Sequence, residues 1–163
     1  MPESIDALPE FFSHALAIER EAVQRYREFE AYFTGRGDEV LAGLCGNLAR
    51  LESDHVALLE RATTGMELPV AVAGDHGWLT VERTEDEQRA MYRVIGSRQL
   101  LEIALSSECN AVGFFEWVAS TTADEQVRKL AQDMALEEME HVNWVRDAIE
   151  YLERGAKDVG EAH

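Results

Sequence analysis

Residues Met134–Val142 read M-A-L-E-E-M-E-H-V, and residues Leu48–Val56 read L-A-R-L-E-S-D-H-V. Ala49, Glu52, His55 and Val56 recur as Ala135, Glu138, His141 and Val142, with a constant offset of 86 residues (141 − 55). A Glu and a His three residues apart project from one helical face, one turn from each other. Apolar residues at helical spacing surround both pairs: Leu48, Leu51, Leu58 and Leu59 around the first, and Met134, Val142 and Val145 around the second. Both pairs are therefore expected to face a helical interior.

Working outward, each stretch belongs to a long helical segment. Asp6–Thr34 reads as a first helix, with Asp6 or Leu8 as its cap, Pro9 in its first turn, and Gly35 and Gly37 ending it. Asp38–Thr64 reads as a second, stopped by Gly65; a connection this short makes the two antiparallel neighbours. Residues 65–84 hold Gly65, Pro69, Gly74, Gly77 and several β-branched residues, the composition of an irregular crossover. A short helix is expected over Glu85–Ile95, followed by a third long helix over Arg98–Ser120 capped by Ser97. A fourth starts after a Thr122 cap and closes at Gly155. At roughly 1.5 Å per residue these helices are each about 33–45 Å long. The sequence predicts an all-α, antiparallel four-helix bundle with a long crossover between helices 2 and 3, forming one domain over 1–163.

The repeat extends to the other two helices. Glu19-x-x-Ala22-x-x-x-Tyr26 in the first matches Glu108-x-x-Ala111-x-x-x-Phe115 in the third, at an offset of 89 (108 − 19). Each half thus supplies one lone Glu and one Glu-x-x-His. Four carboxylates buried together would repel one another and lose hydration unless protons or cations neutralise them. Two divalent ions balance four negative charges, and four carboxylates with two imidazoles suit iron or manganese better than a thiolate-rich zinc site. This distribution over four helices is the pattern of di-iron and di-manganese bundle sites. It assigns Glu19 and His55 to one metal, Glu108 and His141 to the other, and Glu52 and Glu138 as bridges. The same six residues are the candidate catalytic set.

Composition narrows the function classes. The 163 residues carry 32 acidic and 15 basic side chains, a net charge of −17, which disfavours nucleic acid and anionic membranes as partners. No apolar run approaches the roughly 20 residues needed to cross a bilayer, and Met1–Glu10 shows no basic-apolar leader. Cys45 and Cys109 form no CxxC pair, so a reducing cytoplasm is the expected location. Both cysteines are expected to be buried and structural, Trp144 to lie in the core, and His14, His76 and His163 to lie on the surface.

With six ligand positions in place, the chain resembles the ferritin-like di-iron carboxylate superfamily, most closely the rubrerythrin type, with ligand spacing also similar to bacterioferritin. The rubrerythrin resemblance implies an oxidoreductase that reduces hydrogen peroxide or dioxygen at a carboxylate-bridged pair of iron ions. Bacterioferritin implies a ferroxidase or iron-storage protein, and a di-manganese catalase-like site is the further alternative. The chain lacks the paired CxxC motifs of a rubredoxin domain, so an external donor, rubredoxin-like or similar, would supply electrons. Ala111 stands where rubrerythrins carry an additional Glu. The resemblance also implies that Tyr26 hydrogen-bonds a ligand carboxylate, Glu108, and that Glu137 steadies His55. A homodimer is expected, with the crossover free to pair with or swap into a second chain.

Overall fold

The computed structural model describes residues 3–70 and 96–161, with side chains of the final helix through Gly155. Four helices account for the regular structure among these residues: α1 (Leu8–Gly35), α2 (Glu39–Ala62), α3 (Ser97–Thr121) and α4 (Glu125–Glu161). They form an all-α, ferritin-like four-helix bundle in which α1 packs mainly on α2 and α3 on α4. A long connection joins Ala62 to Ser97; the short helix expected over Glu85–Ile95 lies outside the described residues.

The helix ends follow local chemistry, with some departures from the sequence reading. Asp38 caps α2 by accepting from the Leu41 N–H at 3.0 Å. Gly37 has a φ of +74°, a left-handed value that lets the chain reverse between α1 and α2. Asp6 does not cap α1, which begins from Ala7 with Pro9 in its first turn. Instead the Asp6 carboxylate accepts from the Ala123 N–H at 2.8 Å, securing the turn between α3 and α4. Asp124, not Thr122, caps α4 by accepting from the Gln126 and Val127 N–H groups. Ser97 is the first residue of α3; Gln99 reaches back to accept from the Gly96 N–H at 2.9 Å. Gly155 does not close α4, which runs on to Glu161. A single glycine costs a helix about 1 kcal/mol, too little to stop one this long.

Two apolar clusters fill the bundle. One gathers Tyr26, Phe29, Phe33, Leu41, Leu48, Leu100 and Leu101; the other gathers Ile5, Phe11, Phe114, Phe115, Val118 and Val127. Fully burying a phenylalanine or leucine contributes about 1.5–3 kcal/mol, so these layers supply the main drive to fold. Charged side chains are buried beside them.

Candidate metal centre

Glu19 comes from α1, Glu52 and His55 from α2, Glu108 from α3, and Glu138 and His141 from α4. The four glutamates are at most 2% exposed and His141 is 3% exposed, while His55 is half-buried. Helical phase puts Ala22, Leu48, Ala49, Ala104, Ala111, Met134 and Ala135 on the same inward faces, all buried. Leu58 departs from the expectation: it is 57% exposed, beyond the face that carries Glu52.

The six side chains form two overlapping groups. Glu19, Glu52, His55 and Glu138 place one ligand-type atom each within 4.8 Å of one another. So do Glu52, Glu108, Glu138 and His141. Glu52 and Glu138 belong to both. The His55 Nδ1 lies 3.4 Å from Glu52 and 3.5 Å from Glu19, and the His141 Nδ1 lies 2.9 Å from Glu52 and 3.5 Å from Glu138. The rings of His55 and His141 stack with centroids 5.9 Å apart.

Burial sets the electrostatics. Desolvation, reinforced by Glu52 and Glu138, holds the Glu19 carboxyl well above its ordinary pKa. Desolvation and Glu138 do the same to Glu108, although Arg25 opposes them. Burial also raises Glu52, but the Glu19 carboxyl and the His141 and His55 rings outweigh it and leave Glu52 below its usual range. His141 is pushed up to about 11: burial works against its charge, and Glu138 and Glu52 prevail. Glu52 likewise raises His55. In the metal-free chain Glu19, Glu108 and the two imidazoles thus all hold protons more tightly than they do in water.

These donors fit a pair of hard divalent cations. Both oxygens of Glu19 and of Glu52, and the Nδ1 atoms of His55 and His141, are buried without a hydrogen bond. Such atoms are costly to bury unless something coordinates them. The donor set, oxygen with two imidazole nitrogens, matches iron or manganese.

Surrounding side chains hold the cluster. The Tyr26 hydroxyl donates to Glu108 Oε1. Burial, with the neighbouring Glu108 carboxyl, raises the Tyr26 pKa well above its usual value, so the hydroxyl keeps its proton. Glu137 Oε2 approaches the His55 Nε2 at 3.4 Å, on the ring edge away from the cluster. One residue escaped the sequence reading. Arg25 is nearly buried, with its Nη2 3.8 Å from Glu108 Oε1. The signal was a break in the repeat, because the 89-residue offset pairs Arg25 with the apolar Phe114.

Of the secondary expectations, the burial of Cys45 holds, while those for Cys109, His14 and Trp144 change. Cys45 is buried, and its thiol is pushed up to about 12 by desolvation, then by Glu30 and Asp38. Cys109 is exposed, because the rotation of about 100° per residue carries it from the inward face of Glu108 to the outer surface. His14 is buried, its ring 5.7 Å from that of Phe114. Trp144 is 38% exposed and leans on His141 with ring centroids 5.9 Å apart. His76 and His163 lie outside the described residues.

The Rubrerythrin family model matches residues 99–162, the stretch that carries Glu108, Glu138 and His141. The chain is also similar to a solved structure of an uncharacterised conserved protein from Magnetospirillum magnetotacticum. The two share 28% identity with a TM-score of 0.76, over 89% of this chain and 95% of that one. No curated protein matches the chain. No helix among the described residues is long and apolar enough to cross a membrane. The bundle, the family match and the solved neighbour together support a ferritin-like, rubrerythrin-like assignment for this chain.

Proposed function

We propose that the chain is a non-haem di-iron oxidoreductase that reduces hydrogen peroxide or dioxygen. The observation that carries this reading is the pair of overlapping four-residue groups sharing Glu52 and Glu138, with buried donor atoms that lack hydrogen bonds. Glu19 and His55 would hold one iron, Glu108 and His141 the other, with Glu52 and Glu138 between them. When bound, two ferrous ions supply one electron each, which with two protons convert hydrogen peroxide to two waters. The chain's own residues prepare that chemistry. Tyr26 fixes one oxygen of Glu108, and Glu137, 3.4 Å from the His55 Nε2, would steady the ring with Nδ1 toward the cluster. Apolar layers above and below limit water and keep the carboxylates in place.

Electrons would come from an external rubredoxin-like donor, in a cytoplasmic setting. We further propose a homodimer as the working assembly. Stopped-flow absorbance of the ferrous protein mixed with peroxide tests the reading. Reoxidation much faster than that of free ferrous ion is expected, and a rate equal to the free ion would end it.

One observation favours a second reading. Ala111 is buried at the cluster where rubrerythrins place an additional Glu, leaving the symmetric six-ligand set similar to bacterioferritin. Oxidising iron and storing it needs a closed shell, so a particle far larger than a dimer on gel filtration would support that reading. Metal analysis of protein purified without added iron separates both readings from a di-manganese site.

A further inference from the structure

Beside the Glu108–Glu138 edge of the cluster, α1 and α3 leave a partly enclosed cavity of about 20 Å³. Its walls include Ala22, Arg25, Ser107, Glu108, Ala111 and Glu138. That volume admits about one water-sized molecule. Small side chains make the room, since Ala22 and Ala111 occupy equivalent positions in the two halves of the repeat.

Arg25 gives the cavity its polar wall. Its side chain is 11% exposed, and its guanidinium reaches Glu108 and Glu21 only at 3.8 and 4.0 Å. Its Nε is buried and makes no hydrogen bond. A guanidinium carries five N–H donors, so donors remain for a molecule in the cavity. Ser107 adds a hydroxyl that both donates and accepts, and the carboxylates add acceptors. Phe114 takes Arg25's place in the other half, so the repeat supplies no second guanidinium.

We infer that this cavity is a binding pocket for a water-sized ligand with both donor and acceptor atoms, hydrogen peroxide in particular, held by Arg25 and Ser107 against the Glu108–Glu138 edge. Its narrowness excludes alkyl hydroperoxides. This inference rests on the metal centre proposed above, and it names where the substrate enters and what selects it.

The test is a fluoride titration of the iron-loaded, air-oxidised protein, followed by absorbance, with iron content measured in parallel. Arg25→Met and Ala111→Val should each weaken fluoride binding about tenfold or more. Leu58→Ser, on an exposed position of α2, should stay within about twofold of wild type. Ser107→Leu, at a half-buried position, gives a third variant if Ala111→Val overpacks. Unchanged fluoride affinity in variants that keep their iron overturns the pocket while leaving the metal centre standing. Variants that lose iron instead also count against it, because these residues would then be supports of the cluster. Wild-type protein that binds no iron at all removes the reading beneath it. Reoxidation by tert-butyl hydroperoxide as fast as by hydrogen peroxide would overturn the size selection.

Discussion

Glu52 is 0% exposed, yet it sits below the usual carboxylate range because two imidazoles and the Glu19 carboxyl face it. It also belongs to both ligand groups, whereas Glu19 belongs to one. Glu52→Ala should therefore abolish binding of both metals, and Glu19→Ala should leave about one of two, as read by elemental analysis. The repeat treats its two lone glutamates unequally. Glu108 is held by Tyr26 and approached by Arg25, while both oxygens of Glu19 lack a hydrogen bond. Tyr26→Phe removes one buried hydrogen bond and should cost about 1–3 kcal/mol of unfolding free energy in denaturant titrations.

At the scale of the helices, caps decide the ends and the apolar stripe decides the facing. Asp124→Ala removes the acceptor for two N–H groups at the start of α4, and a loss of about 1 kcal/mol is expected from thermal unfolding. The four helices and the facing of the two Glu-x-x-His pairs were legible because the stripes repeat at 3.6 residues and recur at a fixed offset. What escaped the sequence depends on contacts distant along the chain. Asp6 looks like a local cap, but its partner is Ala123, which only the assembled bundle brings near. Arg25 reads as one charge among many on α1 until Glu108 arrives from α3. Gly155 carries the signal of a stop, yet α4 continues through it. Cys109 and Leu58 show the limit of reading burial from residue type alone, since both are apolar in character and exposed.

For the whole molecule, a net charge of −17 coexists with a buried cluster whose Glu19 and Glu108 carboxyls are driven toward their protonated forms by burial. Glu19, Glu108, His55 and His141 all bind protons more tightly in the folded chain than in the unfolded one. The stability they confer on the metal-free protein is complete below their unfolded values of 4.5 and 6.5. It is lost as pH rises, for His141 toward about 11. Glu52 acts in the opposite sense: its contribution is present above 4.5 and fails only in acid. Metal ions replace those protons, so uptake should release protons, and the gap in melting temperature between metal-bound and metal-free protein should widen from about pH 6 to about pH 9. A gap that narrows with pH would show that the cluster is not the metal site. The most direct test of the account is an anaerobic titration of the metal-free protein with ferrous ion, with bound iron measured by elemental analysis. Saturation at two ions per chain in wild type, and at none in Glu52→Ala, is the predicted result; wild-type protein that stays free of bound metal would contradict it.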